Sequence, residues 1–368
     1  MRQFKVKYMD IAAECRGIRE ELLLSVSQVL DSGKFILGPE VDKFERHFSE
    51  YCGTRFAVGV ANGTDALMMA LRALGIGDGD EVITVANSFL STVAAIAMVG
   101  AKPVLVDARR DFNIDPDLVK NAISDRTRAI LPVHLTGRPA DMHPILEIAK
   151  ERNLHVIEDA AQAIGAAYHG DRVGSFGILG CFSLHPLKNL GACGDAGVIT
   201  TNDETLHDKL LKMRNHGLKN RIESEFWSVN SRLDSLQAAL LNVKFNFLDQ
   251  WTEQRRDNAR FYQERLRDVV YCPTDQPYEQ SVYHTFVIQA DRRDALKDFL
   301  EESGIETKIH YPIPIHLQPA ARDLGYQRGD LPITEQLADS ILSLPVQPAL
   351  SHDQKELVVG AIREFYSK

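Results

Sequence analysis

The chain has 368 residues, 44% of them hydrophobic and 25% charged, which suits a globular protein of two or three domains, or one large domain with a smaller one attached. Its net charge is -9 and no long basic run occurs, which argues against a nucleic-acid partner and means that any anionic ligand is met by local groups. The five cysteines are odd in number and form no Cys-x-x-Cys, and the twelve histidines form no His-x-x-x-His, so neither a disulfide framework nor a zinc site is expected.

Residues Met1 to Asp10 are mixed polar and charged, without the apolar core of a signal peptide. The longest apolar stretch, Val93 to Ala101, is too short to span a bilayer, so no membrane partner is expected and a reducing cytoplasm is the expected location. Residues 11–32 read as an amphipathic helix, with Ile18, Leu22, Val26, Val29 and Leu30 on one stripe. A loop, 34–39, leads through Pro39 into a second helix over 40–51. Phe56–Ala61 is a short buried strand that runs into Asn62-Gly63-Thr64-Asp65 and a helix over 65–74. The free N–H groups of that first helical turn suit an anion, while Thr64 or Asp65 would equally serve as an ordinary N-cap.

Strands and helices then alternate. Strands are predicted at 81–85, 103–106, 129–133, 155–158, 180–183 and 198–201, with helices at 91–99, 116–123, 142–152 and 203–213. This alternation predicts an α/β fold with a mostly parallel central sheet flanked by helices. Ligands of such sheets bind beyond the carboxyl ends of the strands, where Asn62-Gly63-Thr64, Asn87-Ser88-Phe89, Asp159 and Lys188 all fall. After a loop over 216–230, residues 231–260 read as helical. The composition then shifts to a smaller α+β unit of roughly a hundred residues. Its strands are predicted at 283–289 and 306–309 and its helices at 292–303, 334–341 and 352–366, with a Pro-rich stretch, Tyr311 to His316, that cannot be helical. The expected division is 1–245 for the large domain and 246–368 for the small one.

Lys188 stands among Phe182, Leu184, Leu187 and Leu190, with three glycines in the next nine residues. A lysine in apolar surroundings has a depressed pKa and a nucleophilic amine, as Schiff-base chemistry requires; an ordinary surface lysine in a Gly-rich loop is the plain alternative. Asp159 ends a buried strand, where a carboxylate needs a cationic partner, either a protonated pyridine nitrogen or a structural arginine. An aspartate for the ring nitrogen and a lysine for the aldehyde are the two fixed groups that pyridoxal phosphate requires.

Several ordered stretches carry a wider likeness: Phe35-Ile36-Leu37-Gly38-Pro39-Glu40-Val41, Asn62 to Leu67, Asn113-Ile114-Asp115-Pro116, Pro132-Val133-His134-Leu135, Glu158 to Ala163, Phe182 to Gly197, and Asn230-Ser231-Arg232-Leu233-Asp234. Over nearly its whole length the chain resembles the sugar aminotransferases of fold-type I, the DegT/DnrJ/EryC/StrS family of pyridoxal-phosphate enzymes. The resemblance implies Lys188 as the Schiff-base lysine, Asp159 as the pyridinium partner and Gln162 beside the ring. It implies Gly63, Thr64, Asp65 and Ser183 at the phosphate, and Phe89 stacked on the ring. Asn230 would reach the cofactor of a neighbouring subunit, which implies a homodimer with shared active sites. The implied reaction moves an amino group, from glutamate, to a nucleotide-linked keto-deoxysugar.

The chain departs from the family pattern at Ser228, Cys193, Thr136 and His185, positions that bear on the substrate pocket or dimer edge rather than on the cofactor groups. The form Gly194-Asp195-Ala196-Gly197 and the stretch Tyr311-Pro-x-Pro-x-His316 resemble members that act on 3-keto sugars. His185, His310, Tyr311 and His316 are candidate substrate contacts, though the Pro-rich loop carrying the last three could simply brace the small domain. His134 is expected to be structural. A 4-keto sugar, a keto-cyclitol, or a non-catalytic regulatory protein on the same fold are the alternatives.

Overall fold

The computed structural model of the chain describes residues 4–368. Its main sheet has seven strands: β1 (Phe56–Val60), β2 (Glu81–Val85), β3 (Lys102–Val106), β4 (Thr127–Leu131), β5 (His155–Asp159), β6 (Leu179–Ser183) and β7 (Gly197–Thr201). They lie in the order β1-β7-β6-β5-β4-β2-β3. The pairs from β6 to β3 are parallel, whereas β7 runs antiparallel to both β1 and β6. The reversal has a local cause. Parallel neighbours need a crossover, usually a helix, and the chain between Ser183 and Gly197 forms none, so it returns beside the strand it has just left. That return loop carries Lys188.

The helix Gly63–Ala73 packs on β6 and β7 and buries Ala66, Leu67, Met69, Ala70, Leu71 and Ala73. So many apolar positions around one helix mean that it is covered on most sides, and its N-terminus is fixed relative to the sheet. β2 and β7 are buried along their whole length, as strands with helices on both faces must be.

The smaller C-terminal elements form a second sheet, β8 (Phe286–Gln289) antiparallel to β9 (Ile341–Leu344). Tyr262, Leu266, Phe286, Ile288, Leu296, Leu300, Leu342, Leu344, Val358 and Ile362 share its core, and Val6 from the N-terminal segment joins them.

Several boundaries differ from the sequence reading. The first helix breaks at Gly17 into Ile11–Arg16 and Arg19–Ser32. The helix expected over 231–260 is two, Ser235–Phe245 and Leu248–Leu266, whose cores differ: Phe245 and Leu248 pack under the large sheet, Ala259 and Tyr262 in the small unit. The strand expected at 306–309 is a single antiparallel bridge, Lys308 to Ser343 of β9. β9 itself lies in a run read as helix and turn before Pro345; four residues are too few to show a period. No helix of the described residues is long and apolar enough to cross a membrane.

Candidate active site

Beyond the carboxyl ends of the parallel strands lies a cavity of 710 Å³, lined by both the large sheet's loops and the C-terminal segment. Gly63, Thr64, Asp65, Phe89, Asp159, Gln162, Ser183, His185, Lys188, His310 and Tyr311 all line it.

At one end is the turn after β1. Asn62 caps the helix Gly63–Ala73, its side chain accepting the Asp65 N–H at 2.8 Å. Helix geometry leaves the first N–H groups without partners, and with Asp65 taken those of Gly63 and Thr64 remain for an anion. Asp65 therefore lines the cavity without offering its own N–H. A Cβ on Gly63 would stand 2.7 Å from that of Ser183, so glycine is needed for the turn to approach β6 this closely. The Thr64 hydroxyl donates to Ser91 Oγ at 2.8 Å, and Ser183 Oγ accepts the His185 N–H at 3.3 Å.

At the other end is the tip of β5. Successive strand residues face opposite sides, and the two carboxylates there have separate duties. Glu158 is fully buried below the sheet, where it accepts N–H groups of Gly174, Phe176 and Gly177 and contacts His134 Nε2 at 3.0 Å. His134 Nδ1 accepts the Ala140 N–H, so Nε2 carries the proton and donates to Glu158. Asp159 faces the cavity, buried, with Oδ2 accepting from Thr92 at 2.8 Å and Oδ1 from Ala161 N at 3.2 Å. Burial raises its pKa above the usual carboxylate range, against the pull of these two hydrogen bonds and of the Lys188 charge.

Lys188 sits in the β6–β7 loop, braced where Gly191 closes on the Pro186 carbonyl; a Cβ on Gly191 would come within 2.5 Å of that oxygen. The residue keeps a partly exposed side toward the cavity. Burial nonetheless pulls its pKa from 10.5 down to about 8, with the Asp159 charge opposing. Its amine is thus partly neutral near neutral pH, the state in which it can attack a carbonyl.

Between these ends, Gln162 Oε1 accepts the Thr136 N–H at 2.8 Å and Nε2 donates to the Tyr311 hydroxyl at 3.1 Å. Phe89, half exposed at the cavity mouth, lies 5.6 Å from the Tyr311 ring, tilted by 44°. His310 contacts Ser343 Oγ at 2.9 Å, and burial together with the charges of Lys188 and Lys308 lowers its pKa to about 4.

Two predicted positions lie elsewhere. His316 does not line this cavity: it is buried against Glu335, Nε2 to Oε1 at 3.0 Å, and braces the Pro-rich loop. Asn230 is exposed, bridged through its backbone to Asn215, and does not line this chain's cavity. Sequence reading missed Thr92, which holds Asp159, and His284, which lines the cavity beside Lys188. Thr92 hides in an apolar helix with no signal; His284 could have been found as the one titratable imidazole in the mostly apolar run Val282–Ile288.

The set can hold a dianionic group at the Gly63–Thr64 turn and a flat ring with a cationic nitrogen at Asp159, with its carbonyl at Lys188. The chain is 46% identical to a "pleiotropic regulatory protein" of Geobacillus stearothermophilus, covering 98% of each chain. It is 42% identical to a dTDP-3-amino-3,4,6-trideoxy-alpha-D-glucose transaminase of Streptomyces venezuelae, covering 98% of this chain and 96% of that one. Among solved structures, that of S. venezuelae DesV in complex with a ketimine intermediate superposes over 100% of both chains, with a TM-score of 0.97 at 41% identity. The profile of the DegT/DnrJ/EryC1/StrS aminotransferase family matches residues 16–363, and the chain belongs to that family.

Proposed function

We propose that the chain is a pyridoxal-phosphate-dependent aminotransferase that moves an amino group from L-glutamate to the keto carbon of a nucleotide-linked 3-keto-deoxysugar. The observation that carries this is the buried Asp159 facing the same cavity as Lys188, whose pKa burial lowers to about 8. When bound, pyridoxal phosphate supplies an electron sink for the pair left when a C–H bond beside nitrogen breaks. The residues fit it: Gly63 and Thr64 N–H groups with the Ser183 hydroxyl for the phosphate, Asp159 for the ring nitrogen, and Phe89 for the ring face. Gln162, whose Oε1 accepts the Thr136 N–H, would meet the ring oxygen with its amide N–H. Lys188 would hold the carbonyl end, and its amine Nζ, when free, would take the substrate proton as base and return it as acid. Thr92 fixes the Asp159 carboxylate so that it faces inward.

The 3-keto choice is supported by Asp195 of the Gly194-Asp195-Ala196-Gly197 form, which lines the cavity, and by the name of the S. venezuelae relative. We further propose a cytoplasmic homodimer with shared sites. Trp227 is 97% exposed and Ile222, Leu23 and Leu24 are exposed too, large apolar side chains that a second copy would cover while bringing Asn230 to the neighbouring cavity. We also propose a large domain, 1–245, and a small one, 246–368; Tyr262, Phe286, Leu300 and Val358 share a core within the latter, which Val6 joins, while Leu248, Val282, Val287, Leu337 and Ile341 pack in the cores of the former. His185, His310 and Tyr311 are proposed to touch the sugar or nucleotide.

Purified protein given the cofactor should acquire a visible absorbance band, lose it with glutamate, and regain it with a nucleotide-linked 3-keto sugar, yielding an amino sugar by mass spectrometry. Activity confined to 4-keto sugars or keto-cyclitols would move the substrate assignment. A protein that binds no cofactor would sink the reading. One that binds it but never reacts with glutamate would be regulatory, as the name of the Geobacillus relative suggests; the complete Lys188–Asp159 set favours catalysis.

A further inference from the structure

His284 lines the cavity while keeping only 9% of its surface exposed. Its Nδ1 is sealed inside the protein and has no hydrogen-bond partner among the described residues. The ring therefore meets the cavity by its other edge, which carries Nε2. A buried N–H without an acceptor is rarer and more costly than a bare lone pair, so the proton belongs on Nε2. Arg255, itself buried, donates to the carbonyls of Tyr283 and His284 at 3.5 Å each and fixes the backbone behind the ring. Burial, then the charges of Lys188, Arg255, His310 and His185, push the His284 pKa well below its ordinary value. The ring stays neutral near pH 7 and is a donor, not a base.

We propose that His284 selects the amino acceptor by donating an Nε2–H hydrogen bond to the sugar hydroxyl on a carbon next to the ketone. This rests on the aminotransferase reading above. The carbon to be aminated must come to the Lys188 amine; Lys188 and His284 line the same cavity, and Asn189, next to Lys188, donates to the Val282 carbonyl at 3.0 Å, so the two segments adjoin. A donor on the wall beside Lys188 is placed to meet a substrate oxygen close to that carbon. The oxo acid made from glutamate presents a carboxylate at that place, which an uncharged donor holds less strongly than a cation would. No proton moves in this contact. Overall, glutamate and keto sugar give oxo acid and amino sugar, and the water taken up in forming one is released in forming the other.

The test is a cycle of two proteins and two kinds of substrate: wild type and His284→Leu, each with a nucleotide-linked 3-keto sugar and with its 2-deoxy and 4-deoxy counterparts. Wild type should favour one hydroxylated form by about 10- to 100-fold in kcat/KM, and His284→Leu should erase that preference. His284→Gln, which keeps an N–H near the same place, should restore part of it. The glutamate-driven loss of the visible band should fall far less than the sugar-driven return. Independently, ¹⁵N shifts of histidine-labelled protein without cofactor should show His284 as the neutral Nε2–H form from about pH 6 to 8. A preference that survives in His284→Leu, a loss equal for hydroxylated and deoxy sugars, or a protonated or Nδ1–H ring would overturn the proposal. A wild type inert toward glutamate and every keto sugar would instead sink the aminotransferase reading, and this proposal with it.

Discussion

Gln162 and Tyr311 are joined by a 3.1 Å hydrogen bond across 149 positions of sequence, tying the segment after β5 to the C-terminal Pro-rich loop. Gln162 is pinned on its other side by the Thr136 N–H, so the amide has one orientation: oxygen to Thr136, nitrogen to Tyr311. The Tyr311 hydroxyl, whose pKa burial raises to about 12, stays protonated across the working range.

Tyr311→Phe should remove this tie and leave the fold intact. The expected loss is that of one neutral hydrogen bond, about 0.5–1.5 kcal/mol, or roughly two- to tenfold in cofactor affinity. An absorbance titration measures it; an affinity equal to wild type would show that Gln162 is held by Thr136 alone.

The depressed Lys188 pKa sets a pH dependence. With a value of about 8 in place of 10.5, about a quarter of the amines are neutral at pH 7.5, against about one in a thousand for an unshifted lysine. Capture of the cofactor aldehyde by the apoprotein should therefore quicken about tenfold per unit below pH 8 and level off above it. Asp159 opposes the shift, so Asp159→Asn should move the midpoint lower. Stopped-flow absorbance decides; a rate still rising at about pH 10 would mean that burial does not perturb this lysine.

Lys188→Ala should abolish covalent attachment while the phosphate turn still binds the cofactor. Borohydride reduction followed by mass spectrometry should add the cofactor's mass to wild type and nothing to the variant. Turnover should fall by about 10⁴-fold or more, as when a nucleophile is removed outright.

Gly63→Ala tests the turn itself. Its Cβ would meet Ser183 Cβ at 2.7 Å, and something must shift. Overpacking of this kind costs about 1–3 kcal/mol, and the displaced N–H groups should weaken cofactor binding by at least about tenfold. Thermal melts of the apoprotein and the same absorbance titration check both; unchanged affinity would place the phosphate elsewhere.

Shared sites make a further prediction. Lys188→Ala and Asn230→Asp should each be inactive alone, but mixing the two chains should restore about a quarter of wild-type activity, since each mixed dimer carries one intact site. No recovery after subunit exchange, verified by differently tagged chains, would assign Asn230 to its own chain or to no site.

The sequence by itself determined the alternation of strands and helices, the glycine turn after β1, and the pairing of Asp159 with Lys188 in one crevice. Those signals are local: period, turn chemistry, and strand ends fixed by buried runs. Strand ends placed Gly63 and Phe89 with Asp159 and Lys188, the family resemblance added Gln162, His310 and Tyr311, and the fold brings all five to one cavity. The sequence could not separate His310 from His316, six residues apart in one Pro-rich loop, because which histidine faces the cavity and which faces Glu335 depends on how that loop lies. Nor could it find Thr92 or His284, whose importance comes from neighbours 67 residues away in one case and from a sealed Nδ1 in the other. Only the tertiary structure decided that β7 is reversed, since the loop that carries Lys188 is too irregular to announce whether it crosses over or turns back. The physical reason is the same throughout: short-range pattern sets an element's type and its ends, whereas the partner of a buried polar side chain is chosen by packing between segments distant in sequence.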